Sequence, residues 1–313
     1  MPYIIGIDIG GTKTSISLGS SQGKILAKEV FATGSLKTTL SQAKGVIRAF
    51  LSRYDKGLKR TKGIGISCAG PLDLKKGILY NPPNMPTWRN VPLKKIFAQS
   101  FNLPVALDND ANAAALAEKL FGAGKKVDNL FYYTVSTGIG GGLILNGEIY
   151  HGASFDAGEI GHTVIMPGGP KCGCGKRGCL EALASGTAIA RMAREKAAKN
   201  SPILRLAGKR KDIDAGHVAC AAEAGDRLAR EIYARAAFYL AISVTNVIQV
   251  LNPEMIVIGG GVSKTGPLLF KPLIKSVRAF AWKRPYRSCK ILPAKLKDKV
   301  GDLGAISLIL KKS

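Results

Sequence analysis

Apolar and polar residues alternate along the chain in short strand-like runs and longer helical periods. Residues 3–9 form a β-rich apolar run, and residues 14–18 resume a strand pattern after a glycine-containing turn, which predicts a hairpin. Residues 36–53 place apolar side chains at helical spacing and predict a helix. Residues 63–67 predict a further strand that ends at Ala69-Gly70-Pro71.

The rest of the chain repeats this order of strand first and helix after. Four prolines in 77–93 predict a loop, and the glycines and lysines of 122–126 indicate a linker. The further predicted elements are a strand at 104–107, a helix at 111–121, strands at 130–135 and 142–145, helices at 185–199 and 217–251, a strand at 255–258 and a last helix at 303–310. This order predicts two α/β domains around a cleft, with a boundary near 119–126.

Composition supports a folded protein of this size. The chain has 313 residues, of which 46% are hydrophobic and 21% charged, enough for two packed domains. No stretch approaches about 18 uninterrupted apolar residues, so no membrane-spanning helix is expected. The first residues lack a basic segment and a cleavage pattern, which favours a cytoplasmic protein.

The charge is strongly basic, with 46 Lys and Arg against 21 Asp and Glu and a formal net charge of +25. The excess is concentrated at the two ends of the chain. Such a field could hold nucleic acid or an acidic membrane surface. The basic residues are scattered, however, and few aromatic residues interleave with them. We therefore interpret the charge as a solvated coat and expect no specific nucleic-acid partner and no membrane.

Three glycine-rich turns, at 8–13, 136–142 and 259–263, each follow an apolar strand. Glycine lets backbone N–H groups approach a phosphate closely, and the hydroxyls of Thr12 and Thr137 add donors. The Asp8 carboxylate at a strand tip is placed to hold Mg²⁺ or its waters. A single glycine turn after a strand is only weak evidence for a phosphate site, and neither the Walker pattern nor the dinucleotide fingerprint is present. Together they predict a phosphate site that draws on both domains.

Three of the six cysteines, Cys172, Cys174 and Cys179, lie within eight residues, and His162 precedes them. Three thiolates and one imidazole complete a tetrahedral zinc site without an open position, so the predicted zinc is structural. A set of free thiols is the alternative. A disulfide fits less well because the cluster has an odd number of thiols.

Polar residues gather where a strand ends and a helix begins, at Asn109 and Asp110. Ligands of α/β proteins bind at such positions, although Asp110 could equally be a helix N-cap. Glu159 and Glu181 flank the cysteine cluster, and the loop 81–88 adds an amide and an aromatic face. Carboxylates and amides match the hydroxyls of a sugar, with one carboxylate left as general base.

These motifs resemble the ROK family of sugar kinases and related repressors, within the actin-like ATPase-domain group. The resemblance covers nearly the whole chain. Its motifs are Asp8-Ile9-Gly10-Gly11-Thr12-Lys13, Asn109-Asp110-Ala111-Asn112, 136–142, Gly158-Glu159-Ile160-Gly161-His162, 172–181 and Gly259-Gly260-Gly261.

The resemblance implies two RNase H-like domains around a central cleft. The smaller N-terminal domain would comprise 1–118 plus 301–313, and the larger domain, with the zinc site, would comprise 119–300. The implied activity is ATP-dependent phosphorylation of a hexose at its 6-hydroxyl, with Mg²⁺ and a structural Zn²⁺, in a homodimer. The loop 83–88 looks like the glucokinase branch and favours glucose. N-acetylglucosamine, N-acetylmannosamine and other hexoses remain alternatives.

The resemblance also implies roles for individual residues. It makes Asp110 the general base. Sugar contacts are implied for Gly70, Asn84, Asn109, Asp110, Glu159, His162 and Glu181. Contacts to ATP and its Mg²⁺ are implied for Asp8, Gly10, Gly11, Thr12, Lys13, Thr137, Gly138, Gly260 and Gly261. Zinc ligands are implied for His162, Cys172, Cys174 and Cys179.

The chain departs from the family pattern at two places. Ser136 stands where the family often has glycine, and 301–305 is shortened against the usual closing motif, which affects the adenosine side. A sugar-responsive repressor is the non-enzyme alternative. Only seven residues precede Asp8, so no helix-turn-helix domain is expected there. A polyphosphate-using glucokinase is a further alternative within the enzymes, which the basic ends would favour.

Overall fold

A computed structural model describes residues 2–55, 59–82 and 85–310. The chain forms two compact units. Unit 1 comprises Met1–Asp128, Gly142–Ala157 and Lys295–Ser313, and unit 2 comprises Asn129–Gly141 and Gly158–Ala294. The domain boundaries implied by the resemblance stay a prediction.

The described residues form twelve strands and eleven α-helices. The strands are β1 (Tyr3–Ile9), β2 (Lys13–Ser20), β3 (Ile25–Ala32), β4 (Thr61–Cys68), β5 (Leu72–Asp73), β6 (Ile78–Leu79), β7 (Val105–Asn109), β8 (Leu130–Val135), β9 (Ile139–Leu145), β10 (Glu148–Ile149), β11 (Met255–Gly259) and β12 (Lys290–Pro293). The helices are α1 (Leu36–Tyr54), α2 (Leu93–Phe101), α3 (Asp110–Phe121), α4 (Leu180–Ala184), α5 (Gly186–Lys196), α6 (Pro202–Ala207), α7 (Ala215–Glu223), α8 (Arg227–Leu251), α9 (Pro267–Phe280), α10 (Lys283–Ser288) and α11 (Val300–Ser307).

Unit 1 is built on a five-stranded sheet with the order β3-β2-β1-β4-β7. The predicted hairpin β1–β2 is confirmed, and β1, β4 and β7 run parallel. The register brings Ser15, Asp8, Ser67 and Asp108 side by side on four neighbouring strands. The sheet thus aligns a row of polar residues near the end of its parallel strands, where α/β proteins bind ligands.

Helices cover both faces of this sheet because its apolar strands are buried on both sides. On one face, α1 and α2 pack through a core that includes Val46, Ile47 and Phe97. On the other face, α11 approaches β4 so closely that a Cβ at Gly65 would lie 1.8 Å from a backbone carbonyl oxygen of α11. Only glycine allows this contact, which fixes α11 against the sheet.

Unit 2 has a sheet in which β8 lies between β9 and β11, and β11 is parallel to both β8 and β12. The chain leaves unit 2 within β9, whose end pairs with β10 in unit 1. The long helix α8 packs against α9 and α7. By length and composition α8 could cross a membrane, but half of its most apolar window is buried inside the fold, as in the core helix of a globular unit.

Most predicted elements are present, with two corrections to their bounds and several elements that the sequence pattern did not predict. The predicted helix 217–251 is two helices, α7 and α8, because Gly225 adopts φ +99° and Asp226 caps α8 through its side chain. The last helix is Val300–Ser307 and not 303–310. The elements that the sequence pattern did not predict include α2, α6, α9, α10, β3 and β12.

Candidate functional site

The turn between β1 and β2 is held by hydrogen bonds on both sides. The N–H of Gly10 donates to the carbonyl oxygen of Lys13 at 3.0 Å, and the N–H of Thr33 donates to that of Thr12 at 3.0 Å. The Thr33 hydroxyl donates to the carbonyl oxygen of Gly10 at 2.7 Å. Gly11 is half-buried, whereas Thr12 and Lys13 are exposed. The tip is therefore fixed in shape while its polar side chains face solvent, as an anion-binding turn requires.

Asp8 is the penultimate residue of β1, close to this turn, and its Oδ1 accepts a hydrogen bond from Ser67 Oγ at 3.0 Å. Burial raises the pKa of the Asp8 carboxyl from 3.8 to about 6, and the negative charges of Asp110 and Asp302 raise it further. The Ser67 hydrogen bond and the charge of Lys28 act in the opposite direction. Asp8 is thus a partly buried carboxylate whose ionised form lacks full solvation, so a nearby cation would stabilise it strongly.

Helix α3 begins at Asp110, and Asn109 is its N-cap, with Oδ1 accepting from the N–H of Ala111 at 2.8 Å. The alternative interpretation of Asp110 as the cap is therefore wrong. Asp110 Oδ1 accepts from the same N–H at 2.9 Å. Its side chain is exposed, yet the surrounding protein removes enough water to raise the pKa of its carboxyl. A solvent-accessible carboxyl with a raised pKa suits a general base.

Of the two loops of unit 1 that were predicted to contact the sugar, the one with Gly70 lies beside Asn109. The backbone of Gly70 lies beside Asn109, since a Cβ at Gly70 would be 3.8 Å from Asn109 Nδ2. Asn84 lies outside the described residues. The expected aromatic face of this loop is wrong, because Trp88 is completely buried and its Nε1 donates to the carbonyl oxygen of Gly34 at 3.3 Å. Trp88 is a core residue of unit 1.

In unit 2, the turn after β8 is linked to a carboxylate. The N–H of Ser136 donates to the carbonyl oxygen of Gly138 at 2.9 Å, and the N–H of Ile139 donates to Glu181 Oε2 at 2.9 Å. A Cβ at Gly138 would lie 2.4 Å from the same Glu181 oxygen. Thr137 is exposed. A side chain at position 138 would therefore displace the Glu181 carboxylate, which holds this turn through the N–H of Ile139.

A second glycine turn follows β11 and lies beside the first. Gly260 has φ +88°, and a Cβ there would be 2.4 Å from the carbonyl oxygen of Val135, so only glycine fits. A Cβ at Gly261 would be 3.6 Å from Ser136 Oγ. The two turns thus share one region of unit 2.

A cavity of about 410 Å³ opens at these two turns, a size that suits a small-molecule ligand. Its lining residues are Ser136, Thr137, Gly186, Thr187, Ala190, Arg194, Asp214, Ala215, Gly216, Ala219, Tyr233, Gly261, Val262 and Thr265. The sequence predicted the two glycine turns of this cavity but missed the side chains from α5, α7 and α8. No local motif marks those residues, because the fold brings them together from distant segments.

The four predicted zinc ligands come together in unit 2. The ligand atoms of His162, Cys172, Cys174 and Cys179 all lie within 4.8 Å of one another. Cys172 Sγ is 3.7 Å from His162 Nδ1, and Cys174 Sγ is 3.7 Å from Cys179 Sγ. Zinc–sulfur bonds of about 2.3 Å in a tetrahedron separate sulfurs by roughly 3.8 Å. The donor types and these spacings fit a Zn²⁺ ion.

The surroundings of this cluster connect it to the predicted sugar residues. Burial raises the pKa of the Cys172 thiol to about 12, so a bound metal would be needed to keep it a thiolate. Cys172 Sγ lies 3.8 Å from Glu181 Oε1, and His162 Nε2 lies 3.9 Å from Glu159 Oε2. Both glutamates are therefore in contact with ligands of the cluster.

Comparisons with known proteins agree with this architecture. The glucokinase of Thermotoga maritima is 39% identical over 99% of this chain and 98% of its own length. The xylose repressor of Caldicellulosiruptor bescii is 33% identical over 98% of this chain and 78% of the repressor. The crystal structure of a ROK family glucokinase from Streptomyces griseus in complex with glucose and AMPPNP has 34% identity and a TM-score of 0.81, covering 98% of both chains.

These likenesses confirm the predicted α/β fold of the actin-like ATPase group. The model of the ROK family matches residues 4–312. Because this match spans nearly the whole chain, the chain belongs to the ROK family.

Proposed function

We propose that this protein is a glucokinase that transfers the γ-phosphoryl group of ATP to the 6-hydroxyl of glucose. The observation that carries the proposal is the Asp110 carboxyl at the start of α3, close enough to Asp8 for its charge to raise the pKa of Asp8. Glucokinase relatives that match almost end to end support the activity and the sugar.

In the proposed reaction Asp110 is the general base. Its Oδ1 is occupied by the N–H of Ala111, which leaves Oδ2 to accept the proton of the sugar hydroxyl as the oxygen attacks phosphorus. Asn109 Oδ1 is engaged as the helix cap, so its Nδ2 is the group available to donate to the sugar. The remaining residues that we assign to sugar contacts are Gly70, Asn84, Glu159, His162 and Glu181.

ATP is assigned to the three glycine turns. We assign the phosphates to Gly10, Gly11, Thr12, Lys13, Thr137 and Gly138, and the adenosine to the cavity beside Gly260 and Gly261. We assign Asp8 to the side of the phosphates, where it would hold Mg²⁺, and the ion would supply positive charge against the phosphate oxygens. The solved relative with glucose and AMPPNP supports ATP as the donor.

We assign Zn²⁺ to His162, Cys172, Cys174 and Cys179. Four protein ligands fill a tetrahedral site, so the ion would hold structure and take no part in the transfer. His162 would bind through Nδ1, which faces Cys172, and this leaves Nε2 toward Glu159. A homodimer, a cytoplasmic location and the absence of a nucleic-acid partner stay predictions.

Removal of the zinc should weaken sugar binding as well as lower stability. One zinc per chain is expected by elemental analysis of protein purified without chelator. Cys174→Ser should lose the metal and raise the KM for glucose, because Glu181 and Glu159 contact ligands of the cluster. The exposed Cys220, replaced by serine, serves as the matched control and should change neither value. A metal-free wild-type protein would refute the site.

A coupled assay over a panel of sugars tests the function itself. Glucose should give the highest kcat/KM with ATP, ahead of N-acetylglucosamine, N-acetylmannosamine and mannose. If an N-acetylhexosamine were clearly preferred, the kinase assignment would stand and the glucose assignment would fall. If no sugar were phosphorylated with ATP, the proposed function itself would be overturned.

A further inference from the structure

The chain passes between the two units at four points, after Asp128, Gly141, Ala157 and Ala294. We call the end of β7 together with helix α3 the anchor segment (Asp108–Phe121). Within unit 1, the residues near each of the four crossings contact this segment. The same segment begins with Asn109 and Asp110, to which the proposed function gives the sugar and the base role.

Glu118 makes the strongest of these contacts. It is completely buried in α3, and its two carboxylate oxygens accept from two different stretches of chain. Oε2 accepts from the N–H of Ala123 at 2.7 Å, and Oε1 accepts from the N–H of Leu296 at 2.8 Å. Ala123 lies five residues before the crossing at Asp128, and Leu296 lies two residues after the crossing at Ala294.

The glycine at position 122 leaves room for the Glu118 carboxylate. A Cβ at Gly122 would lie 1.9 Å from Glu118 Oε2, so the chain can turn back over the carboxylate only because residue 122 is glycine. A buried carboxylate that accepts two backbone N–H groups is a strong, directional link, and leaving it incomplete is costly.

The other crossings are attached to the same segment. Lys119 Nζ donates to the carbonyl oxygen of Val127 at 2.6 Å and to Asp128 Oδ1 at 2.8 Å. Gly142 packs so tightly on α3 that a Cβ would lie 2.5 Å from the carbonyl oxygen of Ala111. Before the crossing at Ala157, the ring nitrogen Nε2 of His151 lies 2.7 Å from Asp108 Oδ2.

We propose that Glu118 is a positioning residue for phosphoryl transfer, which holds two of the four crossings on the helix that carries Asp110. The inference rests on the proposed function. Glu159 follows the crossing at Ala157 by two residues, and Gly138 precedes the crossing at Gly141 by three. Both assigned residues of unit 2 are therefore only two or three residues along the chain from a crossing whose unit 1 side contacts the anchor segment.

Helix α3 is suited to transmit this restraint. Glu118 lies eight residues after Asp110, or about 12 Å along a helix that rises about 1.5 Å per residue. Residues Ala111 to Glu118 are all buried, and we infer from this packing that the helix transmits a displacement from Glu118 to its start. A displacement of the chain at Glu118 would therefore also displace Asp110. A misplacement of about 1 Å at a reacting group can cost 10²-fold in rate.

Glu118→Gln is the direct test, because an amide nitrogen facing an N–H breaks one of the two hydrogen bonds while the volume is kept. We expect kcat for glucose to fall about 10- to 100-fold per folded molecule, with the equilibrium Kd for glucose without nucleotide changed less than about twofold. A role in stability alone would lower Tm and leave kcat unchanged, and that result would overturn the proposal.

Asp55→Asn is the matched control. Asp55 is also a buried carboxylate of unit 1, and it accepts from the N–H of Arg60 and from Thr61 Oγ1 at 2.6 Å. It lies next to no crossing. The control should lower Tm comparably and keep the wild-type kcat. If it lowered kcat as much as Glu118→Gln, the effect on kcat would be general and the proposal would fail.

Hydrogen exchange gives a readout that does not depend on activity. In Glu118→Gln, exchange should accelerate at Ala123 and Leu296 and also at peptides covering 108–113, which lie five to ten residues before Glu118. Acceleration confined to 123 and 296 would contradict the transmission. Should Glu118→Gln fail to fold, Lys119→Met removes the adjacent tie while keeping the apolar stem, and the same fall in kcat in smaller degree is expected. An unchanged kcat in that variant would overturn the proposal.

The experiment separates this inference from the proposed function. If the wild-type protein phosphorylates no sugar, the proposed function fails, whereas the hydrogen-exchange result still decides whether Glu118 restrains the start of α3. If the wild-type protein phosphorylates glucose and Glu118→Gln does so equally well, the function stands and the positioning role is wrong.

Discussion

Asp110→Asn should lower kcat by about 10²- to 10⁴-fold while glucose affinity is nearly kept. The amide has the size and polarity of the carboxyl but cannot take the proton of the sugar hydroxyl. Asn109 and not Asp110 caps α3, so the substitution leaves the helix cap in place, and a loss of rate cannot be attributed to a lost cap. Steady-state kinetics together with glucose binding by calorimetry measure both quantities.

The pH dependence gives a second check on Asp110. Protein around the carboxyl raises its pKa, and a base works only when deprotonated. The kcat/KM of the wild-type enzyme should therefore begin to fall, on acidification, at a higher pH than an ordinary aspartate would give. Glu29→Gln, an exposed carboxyl on β3, is the control and should retain activity. Near-normal turnover in Asp110→Asn would remove the residue from the mechanism.

Local signals were sufficient for the framework of the site. The β1–β2 hairpin is determined by a glycine turn between two apolar runs, and α3 by a strand end followed by alanine-rich helical spacing. The zinc ligands were predicted because three of the four lie within a few residues of one another. The break between α7 and α8 was missed although Gly225 and Asp226 carry the signals of a helix end and a helix cap.

Features that depend on long-range packing could not be predicted in this way. The side chains of Arg194, Asp214 and Tyr233 line the cavity only because α5, α7 and α8 meet there. Glu118 reads in the sequence as an ordinary surface residue of a helix. Its partner Leu296 is 178 residues away and contributes only a backbone N–H, which leaves no pattern of side chains to recognise.

Asp8→Asn should lower the rate of phosphoryl transfer and raise the stability of the folded protein. On the proposed function, Asp8 serves the metal side of the phosphoryl group, where loss of a charge interaction worth several kcal/mol lowers the rate by roughly 10²-fold or more. Glucose binding without nucleotide should stay close to that of the wild type, because Asp8 is not assigned to the sugar. This separates Asp8 from Glu181, which the proposed function places against the sugar.

The stability effect follows from the pKa of Asp8. Burial raises this pKa from 3.8 to about 6 in the folded protein, so the folded state binds the proton more tightly than the unfolded state does. The stability that Asp8 contributes is therefore fully present below about pH 3.8 and is lost as the pH rises through about 6. At pH 7.5 the ionised carboxylate costs about 3 kcal/mol of folding free energy.

Asparagine at position 8 avoids this cost because it has no charge to bury, so Asp8→Asn should raise Tm at pH 7.5 by several degrees. Near pH 4 the carboxyl of the folded wild-type protein is protonated, and the two proteins should melt at nearly the same temperature. Calorimetry without Mg²⁺ and nucleotide measures the difference, since a bound cation would itself lower the pKa of Asp8. A lower Tm for Asp8→Asn at pH 7.5 would mean that the ionised carboxylate stabilises the hairpin, and an unchanged kcat would remove Asp8 from the reaction.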